Sequence, residues 1–126
     1  MNVVDSSGWL EYFTAGQNAA FFKAALEDSE HLIVPVVCLY EVFKLTLIQK
    51  GEEDALQIAG VMSTGLSVEI TREIALSAAQ LSIKYKIPMA DSLILGTARQ
   101  HQAVLWTQEE HFNGIHGVNY ISKHKV

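Results

Sequence analysis

The chain has a single cysteine, two prolines and few charges, 18% of its 126 residues. One thiol, Cys38, excludes an internal disulfide framework and any cysteine-built zinc site. It is compatible with a reducing compartment. No apolar run approaches the roughly 18 residues that a membrane span requires; the longest, Leu32 to Tyr40, contains Pro35 and stops at Glu41. Positive charge is not in excess either: 9 bases against 14 acids leave a formal net charge of -5. That argues against a nucleic-acid coat held by charge alone, but leaves room for an enzyme that handles phosphates through metal ions. The glycine-rich phosphate loops G-x-x-x-x-G-K-S/T and G-x-G-x-x-G are both missing, so nucleotide-dependent chemistry is not expected. Met1 to Asp5 carries no basic leader and meets an acid almost at once, so the expectation is a cytoplasmic protein with no membrane association.

What is present is a globular composition, 49% hydrophobic, with no internal repeat or linker. The expected organisation is one domain over residues 1–126. Short β-branched or apolar runs at Asn2 to Asp5, Leu32 to Val34, Leu66 to Ile70, Ala103 to Trp106 and Val118 to Ile121 read as strands. A basic tail, Lys123-His124-Lys125, follows the last of them. Between the strands lie helical stretches. Asp5-Ser6-Ser7 offers caps for a helix through Trp9 to Phe13, Asn18 for one to about Ser29, and Thr71 for one to about Tyr85. Val36 to Lys50 reads as a helix stopped by Gly51. Glu52 to about Met62 and Ala90 to Gln100 read as two more. Strands alternating with helices predict an α/β fold, a parallel sheet of four to five strands flanked by helices on both faces.

Function in open parallel sheets gathers where strands end and helices begin. Four acids fall at such junctions: Asp5 after the first strand, Glu41 in the helix after the second, Asp91 in the first turn after Pro88, and Glu109 past the fourth strand. Carboxylate clusters of this kind suit hard divalent cations, Mg²⁺ or Mn²⁺, and such a site can activate a water against a phosphodiester. Each acid has a structural alternative. Asp5 and Asp91 suit caps or helix-dipole partners, and Glu109 beside Glu110 suits a solvated turn. Glu41 shares a helix face with Val37, Leu45 and Ile48, where a carboxylate needs a partner; Lys44, one turn on, is the nearest candidate.

These residues resemble the PIN-domain family, and within it the VapC-type toxins of toxin–antitoxin pairs. Val3-Val4-Asp5-Ser6-Ser7-Gly8-Trp9-Leu10 is similar to the family's opening strand ending in Asp-Ser/Thr. Leu39-Tyr40-Glu41-Val42 resembles the helix-borne Glu, and Ala90-Asp91-Ser92-Leu93-Ile94-Leu95-Gly96-Thr97-Ala98 the Asp followed by an apolar helix. Leu105-Trp106-Thr107-Gln108-Glu109-Glu110-His111-Phe112 resembles the closing strand with Thr-x-Asp-x-x-Phe. Two positions depart: Glu109 replaces the usual Asp, and His111 stands where many relatives have a second acid. The resemblance implies a single PIN-like domain acting as a metal-dependent endoribonuclease. Asp5, Glu41, Asp91 and Glu109 would be catalytic. Asp5 and Asp91 would be direct ligands of Mg²⁺ or Mn²⁺, and Ser6, Thr107 and His111 would support the site. It further implies in-line attack by an activated water, leaving a 5′-phosphate and a 3′-hydroxyl, an RNA substrate, and a cognate antitoxin that blocks the site.

The helix Val36 to Lys50 is apolar at nearly every angle, which is consistent with burial on all sides in the core. It is equally consistent with a surface, shared with the aromatic helix Trp9 to Phe13, for a homodimer or the antitoxin. Trp9 and Trp106 are expected in the core, His111 and His116 in exposed turns, and Lys84, Lys86 and Arg99 either as RNA contacts near Asp91 or as solvated bases. The alternative to an enzyme is a catalytically inactive PIN-like binding or scaffold module whose acids serve as caps and ion pairs. A phospho-receiver is disfavoured, because it wants two adjacent acids at the first strand and Asp5 stands alone.

Overall fold

The computed structural model describes residues 1–123; His124 and Lys125 of the basic tail lie outside them. Five strands, β1 (Asn2–Val4), β2 (Leu32–Pro35), β3 (Leu66–Val68), β4 (Val104–Thr107) and β5 (Val118–Tyr120), form one sheet in the order β3-β2-β1-β4-β5. All four pairings are parallel, with Val3 opposite Ile33 on one side and Leu105 on the other. Six α-helices connect them: α1 (Ser6–Phe13), α2 (Ala19–Glu27), α3 (Val36–Lys50), α4 (Glu52–Met62), α5 (Arg72–Tyr85) and α6 (Met89–Gln100). Short 3₁₀ turns at Ser29–His31 and Glu110–Phe112 complete the order.

The strands are short, and the central ones are apolar, whereas the edge strands β3 and β5 are partly exposed. Val3, Val4, Leu32, Ile33, Val34 and Leu105 are all buried, as expected for a parallel sheet covered on both faces. The chain moves outward from β1 through β2 to β3, then returns through α5 and α6 to pair β4 with the far side of β1. With right-handed crossovers, that reversal sends α5 and α6 to the opposite face from the earlier helices. It also places a topological switch point at the carboxyl ends of β1 and β4.

Core side chains from several helices close over these strands: Trp9, Phe22, Cys38, Val42, Ile94, Leu95 and Phe112 are buried together. Gly8 in α1 is required by that packing. A methyl there would lie 2.5 Å from Val4 Cγ1 and 2.7 Å from the Phe22 ring.

Several local expectations are corrected. β3 ends at Val68 rather than Ile70, and β1 at Val4 rather than Asp5. Thr71 caps α5 through the Ile74 amide as expected, but Asn18 makes no side-chain cap for α2. Its amide instead donates to Gln108 Oε1 (2.9 Å) and to the Ser122 carbonyl (3.0 Å). Nor is α3 buried all round: Cys38, Val42 and Thr46 are its buried residues, while Tyr40, Leu47 and Ile48 are exposed. Trp9 belongs to the core, stacked 5.7 Å from Phe13, and offers nothing to a partner surface.

Candidate functional site

Asp5 follows the last residue of β1, and its backbone amide continues the ladder to the Trp106 carbonyl at 3.1 Å. The strand thus delivers the side chain to the rim between β1 and β4. There Oδ1 accepts from the Gly8 amide and the Ser7 hydroxyl, both at 2.9 Å, and Oδ2 accepts from the Thr107 hydroxyl at 2.6 Å. Asp5 is therefore a true N-cap of α1. It is also 1% exposed. Burial pushes its carboxyl up to about 6 despite the three hydrogen bonds that favour the anion, and the nearby charge of Glu109 adds to the rise.

The neighbouring acids are each steadied by one partner. Glu41, half-buried on α3, accepts from the Ser6 hydroxyl at 2.5 Å. The expected ion pair with Lys44 does not form among the described residues; Lys44 lies over the Tyr40 ring instead. Asp91 sits in the first turn of α6, where the dipole favours an anion. It is paired with His111, Nδ1 to Oδ2 at 2.9 Å. Burial raises the Asp91 carboxyl, with His111 opposing and Glu109 reinforcing the rise. Glu109 accepts from Lys123 Nζ at 2.8 Å. The Glu109 amide donates to Thr107 Oγ1 at 2.8 Å, so one hydroxyl ties Asp5 to the turn that carries Glu109.

Asp5, Glu41, Asp91 and Glu109 all line one cleft of about 400 Å³, together with Ser6, Ser7, Leu10, Tyr40, Lys44, Leu45 and Ile48. Thr107 braces the cleft from behind. Among the described residues, no three His, Cys, Asp or Glu side chains converge into a coordination cage. The donor chemistry nevertheless fits a hard cation. Asp91 Oδ1, Glu41 Oε2 and Glu109 Oε2 receive no hydrogen bond from the described residues. Mg²⁺ keeps several of its waters and is held by one or two carboxylates, so a closed protein cage is not what it requires.

A family model described as the PIN domain matches residues 3–117. The chain belongs to the PIN domain family. No curated protein gives a significant match. Among solved structures, the fold is similar to a toxin–antitoxin complex from Klebsiella pneumoniae, at 23% identity and TM-score 0.79, covering 94% of this chain and 96% of that one. It is similar to VapC20 of Mycobacterium tuberculosis, described as a toxin cleaving the sarcin–ricin loop, at 14% identity and TM-score 0.67, covering 82% and 85%. A DNA-bound VapBC from Salmonella typhimurium is similar at 15% identity and TM-score 0.72, covering 97% and 98%.

Within this PIN domain, the partners of some cleft residues were not legible from sequence spacing, although His111 was expected near the site. His111 stands in an exposed turn yet reaches Asp91, twenty residues earlier. Lys123 reaches Glu109, and the buried Asn18 reaches Gln108, whose own amide approaches the Ser7 carbonyl at 3.4 Å. These contacts fasten the segment after β5 and the turn after β4 to the start of α1. Lys84, Lys86 and Arg99 do not line the acid cleft. Lys84 and Arg99 both lie over the Tyr85 ring, and Arg99 donates to the His116 carbonyl.

Proposed function

We propose that this protein is a metal-dependent endoribonuclease, the toxin of a VapBC-type toxin–antitoxin pair. The observation that carries the reading is the single cleft into which Asp5, Glu41, Asp91 and Glu109 are drawn from four separate parts of the chain. Asp5 and Asp91 hold the cation, Mg²⁺ or Mn²⁺, and Glu41 and Glu109 complete the acidic wall. A divalent cation bound there supplies Lewis acidity to a water and to the scissile phosphate.

The protein's own residues do the remaining work. The Gly8 amide and the Ser7 and Thr107 hydroxyls aim Asp5; Ser6 fixes Glu41; His111 fixes Asp91 and Lys123 fixes Glu109. Preset orientation of this kind removes reorganisation from the reacting complex. Burial of Asp5 and Asp91 makes their charges costly until an opposing charge arrives, which favours cation uptake.

The toxin part of the reading draws support from the fold likeness to toxin–antitoxin complexes. An antitoxin that covers the cleft, a homodimer and a cytoplasmic location belong to the same proposal. No helix of the described residues is long and apolar enough to cross a membrane.

The test is cleavage of a mixed structured-RNA pool with Mg²⁺, Mn²⁺ or EDTA, alongside Asp5→Asn and Asp91→Asn. Metal-dependent cutting that both variants lose is the expected result. Absence of cutting in every lane, with no metal-induced change in melting temperature, would leave the non-catalytic binding module as the better account.

A further inference from the structure

A cleft carrying four carboxylates repels the phosphates of any RNA brought to it, so some group at its wall has to hold the strand. Among the described residues, one cation lines this cleft, Lys44. Of the other bases considered, Lys123 is committed to the cleft acid Glu109, while Arg99 and Lys84 lie away from the cleft, on the His116 carbonyl and over Tyr85. Lys44 makes no ion pair among the described residues, and its ammonium lies 5.5 Å from the centroid of the Tyr40 ring. Tyr40 also lines the cleft and is 61% exposed. The two are four residues apart on α3 and so are neighbours on one face, and Glu41 directly follows Tyr40. Ile48 continues the same row one turn further and is 71% exposed. Core packing does not account for a large aromatic ring left mostly in water, beside a cation without an ion pair among the described residues, lining an acidic cleft.

We infer that Tyr40 and Lys44 form a subsite for single-stranded RNA, in which the Tyr40 ring stacks a base flanking the scissile phosphodiester and Lys44 holds a neighbouring phosphate. The inference rests on the ribonuclease reading and deepens it by naming how the strand is held. Aromatic faces accept any base, so the subsite positions the strand with little selection of sequence. An exposed cation–π contact is weak, so Lys44 gives up little when it turns from the ring to a phosphate. Lys44 thus sets one positive charge among the residues lining an otherwise acidic cleft, where it partly offsets the repulsion of a polyanion.

The experiment is fluorescence anisotropy with a short, labelled, unstructured RNA, with Ca²⁺ in place of Mg²⁺, across a salt series. Cleavage with Mg²⁺ is measured on the same RNA. Tyr40→Ala is expected to weaken binding about 5- to 150-fold, the range for loss of one stacked base, while Tyr40→Phe retains wild-type affinity. Lys44→Ala is expected to weaken binding and to reduce the slope of log affinity against log salt by about 0.7; Tyr40→Ala leaves that slope unchanged. Melting temperatures serve as the folding control, since both side chains are exposed. Wild-type affinity and salt slope in both alanine variants, with RNA cut normally, overturn the subsite and leave the ribonuclease reading standing. A wild-type protein that neither binds nor cuts RNA overturns both.

Discussion

Asp5→Asn should stabilise the metal-free protein at pH 8, although Asp5 caps a helix and is fully built into the fold. An aspartate ordinarily titrates near 3.8; burial lifts Asp5 to about 6. The folded state therefore holds the proton more tightly than the unfolded chain does. Stability is lowered above pH 6 and regained as pH falls through 6 toward 3.8, opposite to the usual salt-bridged carboxylate. The gap corresponds to about 3 kcal/mol of destabilisation at pH 8, of which roughly half is recovered by pH 5. An asparagine keeps the acceptor for the Gly8 amide and Ser7 hydroxyl. It presents an NH₂ to Thr107 Oγ1, however, and strands the Thr107 hydroxyl proton that Asp5 now accepts. Losing that bond costs about 1 to 2 kcal/mol, leaving a net gain of about 1 to 2 kcal/mol at pH 8. For a domain of this size that is a rise of roughly 3 to 8 °C in melting temperature. Thermal melts in EDTA at pH 8 and pH 5, wild type beside variant, read it directly. The reasoning fails if Asp5→Asn is no more stable than wild type at pH 8, or if its advantage does not shrink toward pH 5.

Three further outcomes are expected. Mn²⁺ or Mg²⁺ should raise the wild-type melting temperature, since a ligand at a hundredfold its Kd adds about 2.7 kcal/mol; Asp91→Asn should lose that response, and an unchanged response would remove Asp91 from the ligand set. Thr107→Val should cost about 2 kcal/mol in urea denaturation at pH 8, because it leaves Asp5 Oδ2 and the Glu109 amide without their partner. Its cost should diminish below pH 6, where Asp5 is protonated, and a pH-independent loss would count against the proposed coupling. Gly8→Ala should destabilise by about 1 to 3 kcal/mol through overpacking against Val4 and Phe22. Helix propensity alone predicts a gain of about 0.5 to 1 kcal/mol for the same change, so the sign of the melting shift separates the two effects.

The alternation of strands and helices was legible because it depends on local pattern. Val3-Val4, Leu32 to Val34 and Leu105 are short apolar runs bounded by capping or turn residues, and they lie in strands within a residue or two of their expected limits. Contacts between distant segments were not. Asn18 has the right type and place for a cap, but its side chain serves Gln108 and Ser122, 90 and 104 residues away. Glu41 needed a partner, as its helix face implied, yet the partner is Ser6 rather than Lys44 one turn on. The apolar circumference of α3 was equally consistent with burial on all sides and with a partner surface. Strands of three or four residues make a sheet too small to cover every side of a fifteen-residue helix, so Tyr40, Leu47 and Ile48 remain outside.

Two accounts of the junction acids, as helix caps and as metal ligands, looked like alternatives on sequence alone; the geometry makes them compatible at Asp5. A carboxylate offers about four lone-pair positions. Gly8 and Ser7 occupy Oδ1 and Thr107 takes one position on Oδ2, so three are used for structure and one on Oδ2 is left. Glu41, Asp91 and Glu109 each engage one oxygen with a neighbour and leave the other without a donor among the described residues. The partners that orient these acids come from α1, from the end of β4 and the turn after it, and from the segment after β5, all of which meet at the switch point beside β1 and β4. The fold thus fixes the direction of each carboxylate while leaving part of each uncommitted. That arrangement costs stability in the empty protein, most clearly at the buried Asp5. The same cost makes an added positive charge favourable there, so the capping bonds are part of how the site is prepared for a cation.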